Sequence, residues 1–136
     1  MPLSSQRLSA TTRASLARGA VLYDAGLYWE SHEAWEEAWL VEEGDPRVLL
    51  QGLIQVAAGF HKATVQGQPN GCVKLLSAGL DKLRRVPEDL LGGELAAFTA
   101  KVEAALLEAL RWQAGEVAGV AKGSIPTLGP AFSKPP

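Results

Sequence analysis

Apolar side chains recur at helical spacing along most of the chain, and no segment shows the alternation typical of a strand. This pattern predicts five helices, over about residues 12–25, 29–43, 46–66, 72–85 and 93–114, separated by turns rich in glycine and proline. The third helix carries apolar residues around nearly its whole circumference, which is typical of a helix covered on most sides. We therefore predict an all-α fold, a compact five-helix orthogonal bundle of tetratricopeptide-like hairpins with the third helix central.

The 136 residues suit one globular domain with a single hydrophobic core. We divide the chain into a polar N-terminal tail over 1–11, a helical domain over 12–121 and a Pro/Gly-rich C-terminal tail over 122–136. The C-terminal tail holds four of the eight prolines, which predicts an extended or disordered strap.

The composition limits which functions and which cellular location we expect. Thirteen basic residues against fifteen acidic ones give a net charge of −2, which removes the electrostatic attraction on which most nucleic-acid binding depends. No apolar run reaches the length of a membrane-spanning helix, so we expect no membrane association. Cys72 is the single cysteine, which excludes an internal disulfide and favours a cytoplasmic location.

The second helix combines acidic and aromatic residues in an unusual way. Between residues 25 and 46 there are seven acids and no lysine or arginine, and three of the four tryptophans lie in the same segment. At helical spacing, His32, Glu33 and Glu36 share one arc with Trp29 and Leu40. An arc that mixes bulky apolar groups with ionisable ones indicates contact with another helix.

The third helix is the predicted partner of that arc. His61 falls in line with Leu50, Ile54 and Ala57, on a face expected to be buried, where an imidazole needs a hydrogen-bond partner. The acid-rich second helix is the nearest source of one. We therefore predict a structural network of Glu, His and Gln side chains inside the molecule. Its members would be His32, Glu33, Glu36, His61, Gln51, Gln55 and Trp39.

A divalent metal such as zinc is the alternative for the same cluster. His32 and Glu36 lie four residues apart on one helical face, the spacing at which a helix supplies two ligands, with Glu33 and His61 as the further candidates. The motif is partial, because a zinc-protease helix has histidine where this chain has Glu36. We favour the structural network and expect no cofactor.

Two other features offer chemistry. Cys72 sits at a predicted helix N-terminus, which could activate its thiol, although a small buried side chain is the commoner fate of a lone cysteine. The third and fourth helices are basic and complement the second helix in charge, which favours pairing of these helices within the molecule or in a dimer. The more specific alternative is that the basic residues bind an anionic ligand. The basic residues are Arg47, Lys62, Lys74, Lys82, Arg84 and Arg85.

Two segments carry a family resemblance. They read GLYWESHEAWEEAW over residues 26–39 and LQGLIQVAAGFH over 50–61, and they are followed by a glycine-rich turn over 67–71. Together they resemble the signatures of the domain of unknown function 309 family, with coverage of about residues 20–83. The resemblance implies an all-helical fold, and it indicates no particular activity. It marks as motif positions His32, Glu33, Glu36, Trp39, Gln51, Gln55 and His61.

The function these observations favour is a non-enzymatic interaction or scaffold module, with an unidentified protein partner. The abundance of apolar helix surface in a short chain also admits a homodimer. The alternative is a metal-dependent or general acid–base hydrolase that uses the His/Glu cluster. Burial of the His/Glu cluster distinguishes the hydrolase from the scaffold module, because a catalytic cluster must open to a pocket.

Overall fold

The computed structural model describes residues 8–91, 94–129 and 132. In this part of the chain there are five α-helices and no strand, which confirms the predicted all-α bundle. Two short 3₁₀ turns, at Glu88–Leu91 and Lys122–Ser124, lie before and after the last helix. The helices are α1 (Ala10–Asp24), α2 (Tyr28–Trp39), α3 (Gly44–Thr64), α4 (Pro69–Leu83) and α5 (Glu94–Gln113).

Helix α2 is shorter than its apolar pattern predicts, because it ends at Trp39 and not at residue 43. The carbonyl of Ala38 accepts hydrogen bonds from the backbone N–H groups of both Val41 and Glu42, which closes the last turn. The chain then turns into α3 at Gly44, whose φ of +65° lies in the left-handed region that favours glycine. The turn therefore sets where α2 stops.

Helix α3 occupies the middle of the bundle, as predicted. It packs against both α2 and α4, while α1 packs against α2 and α5 against α4. Leu49, Leu53, Val56 and Phe60 are fully buried along its length. The order of packing follows the order of the chain, so the fold is a series of helices, each packed against its neighbour in sequence, with α3 in the middle.

Two close backbone approaches fix how the helices pack. A Cβ added to Gly79 of α4 would lie 2.9 Å from the carbonyl oxygen of Gly52 in α3, so these two helices touch through backbone. In α1, a Cβ at Gly19 would overlap the indole of Trp35 from α2. The Trp35 indole is completely buried and its Nε1–H donates to the carbonyl of Leu16 at 3.2 Å. Both contacts require glycine.

The described part of the C-terminal segment packs on the helices. The hydroxyl of Tyr23 donates to the carbonyl of Pro126 at 2.7 Å, and burial raises the pKa of this tyrosine. The backbone N–H of Leu128 donates to the carboxylate of Asp24 at 2.7 Å. The ring of Phe132 is buried, 6.0 Å from that of Phe98 in α5. We call residues 121–129 the strap.

Glu108 of α5 holds the beginning of the strap. Its carboxylate accepts hydrogen bonds from the backbone N–H of Ala121 and from the hydroxyl of Ser124, the second at 2.7 Å. These bonds stabilise the ionised form, so they lower the pKa of Glu108, the Ala121 bond most.

Among the described residues, none of the helices combines the length and the apolar character required to cross a membrane.

Replacing Gly19 with alanine should destabilise the fold. Forcing a methyl group into the Trp35 indole costs up to about 3 kcal/mol, against about 1 kcal/mol gained in helix propensity, so we expect a net loss of about 2 kcal/mol. Chemical denaturation measures this loss. Gly119→Ala is the control, because a Cβ there meets no atom within 4 Å. Equal effects of the two substitutions would contradict the Gly19–Trp35 contact.

The stability supplied by Glu108 should depend on pH. Because its folded pKa is lowered, the stabilisation is present where the unfolded carboxyl is ionised, and it disappears as pH falls through the lowered pKa. Glu108→Gln should therefore be less stable than the native chain at neutral pH, and the difference should vanish in acid. Denaturation curves at both pH values test this, with Glu88→Gln, an exposed carboxylate distant in sequence from the strap, as the control.

Candidate functional site

A groove runs along α3, with α2 as one wall and α4 as the other. Its middle part, which we call the central cleft, has a volume of about 290 Å³. The central cleft is lined by His32, Glu36 and Trp39 of α2, by Gln51, Ile54, Gln55 and Ala58 of α3, and by Leu75 of α4. The helical period explains the α3 contribution, since positions three, four and seven apart share one face. Five of the seven residues predicted to form a network, His32, Glu36, Trp39, Gln51 and Gln55, therefore surround an open space, and Glu33 and His61 do not.

His32 and Glu36 meet on α2 as their spacing predicts. The His32 Nε2 lies 3.5 Å from the Glu36 Oε2, a close contact that does not form a hydrogen bond. The imidazole is 15% exposed and the carboxylate 48% exposed, so the histidine lines the cleft while the glutamate reaches solvent. The other ring nitrogen, Nδ1, is buried and has no hydrogen-bond partner among the described residues.

Gln55, which lines the central cleft, carries a second unpaired atom. Its Oε1 is buried and, within the described chain, accepts no hydrogen bond. Gln51, one turn earlier on α3, lines the same cleft. Five of the seven residues of the predicted network thus line one space, but among the described side chains only the long His32–Glu36 contact joins its members.

His61 faces α2, but it meets a tryptophan and not a carboxylate. The ring centroid of Trp29 lies 5.4 Å from that of His61 and 4.8 Å from that of His32, and the Trp29 and His32 rings are stacked at 24°. The expected Glu–His pair across the two helices is therefore replaced by an aromatic contact. Trp29 remains 48% exposed, so it covers the imidazoles from the solvent side.

His61 lies in a separate part of the surface, which we call the outer cleft. This cleft has a volume of about 550 Å³ and also includes Trp29, Glu30 and the exposed Val65. Since Trp29 stacks on His32, that ring pair separates the outer cleft from the central cleft. The two histidines of the chain thus face different spaces.

The four residues proposed as metal ligands do not converge. His32 and Glu36 are neighbours, Glu33 is exposed, and His61 lines the outer cleft. In the part of the chain that the structure describes, no three His, Cys, Asp or Glu side chains are grouped so that they could hold a metal ion. A protein zinc site uses three or four such ligands, and this geometry supplies two.

The activated-thiol alternative for Cys72 differs from what the structure shows. The side chain is buried in the core, and burial raises the pKa of the thiol to about 11. A thiol with a raised pKa is a poor nucleophile at neutral pH. Cys72 therefore acts as a small core residue.

A third space, the basic cleft, continues from the central cleft towards the start of α3. It has a volume of about 450 Å³, and Trp39 and Gln51 line both spaces. The guanidinium carbon of Arg47 lies 4.2 Å from the centre of the Trp39 ring, a cation–π contact. Sequence reasoning grouped Arg47 with the other basic residues by charge and missed this contact. The signal available was the short turn that separates Trp39 from Arg47.

Comparison with known proteins identifies a family for this region. Residues 16–75 match the model of a family described as Domain of unknown function (DUF309). The matched segment runs from the middle of α1 to Leu75 of α4, and it contains the α2 and α3 sides of the central cleft. No curated protein matches the chain.

The stacked rings of Trp29 and His32 should couple energetically. A double-mutant cycle with Trp29→Leu and His32→Leu, followed by chemical denaturation, should give a coupling of about 0.5 to 1 kcal/mol. The control cycle pairs Trp29→Leu with Glu37→Gln. Residue 37 lies about 12 Å from residue 29 along the axis of α2. No coupling in the first cycle, or equal coupling in both, would show that the rings do not touch in solution.

Proposed function

Because residues 16–75 match the DUF309 family, whose description names no activity, we propose from the geometry of the chain that it is a non-enzymatic binding module whose central cleft holds a polar ligand. One observation carries the proposal. The side chains of His32 and Gln55 line the same open cleft, and each carries a buried atom, the His32 Nδ1 and the Gln55 Oε1, without a hydrogen-bond partner among the described residues.

The free energy of these two atoms supports a ligand. A buried polar group without a partner costs about 1–3 kcal/mol, and such groups are rare in folded proteins. In a purely structural network each atom would face a complementary group. Here the two side chains instead line a space of about 290 Å³.

The chemistry of the cleft favours a hydrogen-bond donor on that ligand. The Gln55 Oε1 accepts hydrogen bonds, as does the Glu36 carboxylate at the rim. No described residue donates to the Gln55 oxygen, so an amine, amide or hydroxyl group from outside completes the site.

Binding is favoured over the metal-dependent or acid–base hydrolase because the residues needed for those reactions are dispersed. Glu33, the candidate general base, is exposed, and His61 lines the outer cleft. The cytoplasmic location, the protein partner and the homodimer stay predictions from the sequence.

A single substitution distinguishes a binding site from a structural network. Gln55→Met keeps the shape of the side chain and removes the unpaired oxygen, so we expect the free protein to become more stable, by about 1 kcal/mol. Chemical denaturation measures the change. Gln66→Met, an exposed position just after α3, is the control and should change stability by less than about 0.5 kcal/mol.

The opposite sign would overturn the proposal. If Gln55→Met lowers the free energy of unfolding by about 1 kcal/mol or more while the control does not, Gln55 has a structural partner in the free protein. The central cleft would then be a packing feature, and the binding function would fall with it.

A further inference from the structure

The basic cleft and the central cleft are neighbours along α3, because Trp39 and Gln51 line both. The polar groups at the two ends differ in kind. This difference allows the class of ligand to be inferred, on the premise that the proposed binding function of the central cleft holds.

The basic cleft carries an excess of positive charge. Its lining includes Arg47, Lys82 and Arg85 against one acid, Asp45. Arg85 is paired with Asp81 at 2.5 Å. Arg47 and Lys82 form no ion pair with any carboxylate of the described chain, so their charges are available to a ligand.

Arg47 is held in position for this role. Its guanidinium lies over the Trp39 ring at 4.2 Å, and it is half-buried, so fewer rotamers are lost when it binds an anion. A guanidinium carries its N–H groups at the edge of its plane, and that edge matches a carboxylate or phosphate in a bidentate pair. The start of α3 in the same cleft adds the positive end of a helix dipole.

The central cleft has the opposite preference, because the Glu36 carboxylate and the unpaired Gln55 Oε1 accept hydrogen bonds. Arg47 and Gln55 are eight residues apart on α3, which places them about 12 Å apart along the helix axis. An extended peptide spans that distance with three to four residues.

We propose that the groove binds an elongated zwitterion, a short peptide whose carboxylate pairs with Arg47 and Lys82 and whose ammonium or amide N–H groups meet His32, Glu36 and Gln55. The charge of the two ends sets the direction in which the peptide lies. A ligand with a single charged group uses only half of the groove.

Four probes test the two ends separately. Triglycine carries both charges, triglycine amide lacks the carboxylate, N-acetyl-triglycine lacks the ammonium group, and inorganic phosphate is an anion alone. Titrations followed by the amide shifts of the ¹⁵N-labelled full chain give a dissociation constant and a location for each. We expect triglycine to shift residues of both clefts, and each singly charged peptide to bind at least about tenfold more weakly.

Substitutions of the basic residues test which side chains bind the carboxylate of the peptide. Arg47→Gln and Lys82→Gln should each remove most of the difference between triglycine and triglycine amide. Lys101→Gln, an exposed lysine on α5, should leave that difference intact. Thermal melts of the three variants establish that each is folded, and Lys82→Gln provides a second test if Arg47→Gln disturbs Trp39.

Several outcomes would overturn the inference. Equal affinity for triglycine and its amide removes the carboxylate site, and phosphate binding as tight as triglycine reduces the groove to an anion site. No shifts with any peptide exclude this ligand class. In each of these cases the proposed binding function of the central cleft still holds if Gln55→Met stabilises the free protein. If Gln55→Met destabilises the free protein, both the proposed function and the peptide proposal are wrong.

Discussion

The burial of α3 between α2 and α4 is the constraint on which the rest of the structure depends. Backbone contact between Gly52 and Gly79 brings α3 and α4 together more closely than any side chain would allow. Fully buried residues such as Leu53 and Phe60 fill the remaining interior. Most of the circumference of α3 is thereby covered, and one stripe that includes Gln51 and Gln55 becomes the floor of a groove. The candidate site is a direct consequence of how a central helix is packed.

Local pattern predicted much of this arrangement. The number of helices, the central place of α3 and the shared face of His32 and Glu36 all follow from the 3.6-residue period, which relates residues a few positions apart. The two glutamines could be placed beside the second helix for the same reason. Periodicity gives the direction in which a side chain leaves its helix, and that was enough to gather most of the candidate residues.

Contacts between helices were harder to predict, because they depend on distances that periodicity does not contain. The arc containing Trp29 was expected to meet the third helix through its acids, but the large indole reaches His61 first. The end of α2 depends on a hydrogen-bonded turn at Ala38, which the apolar pattern does not encode. The bond from Tyr23 to Pro126 joins residues more than a hundred positions apart, beyond the reach of any local signal.

Whether a polar cluster between helices is structural or functional depends on whether its donors and acceptors balance. A structural network pairs each buried acceptor with a donor from the protein, since an unpaired one is costly. At the central cleft, the His32 Nδ1 of α2 and the Gln55 Oε1 of α3 have no hydrogen-bond partner among the described residues. Under the proposed function, a molecule from outside supplies the missing partners. In the neighbouring basic cleft, Arg47 and Lys82 pair with no carboxylate of the described chain. A ligand that carries both missing groups satisfies the two ends together, which neither end can do for the other across a rigid helix.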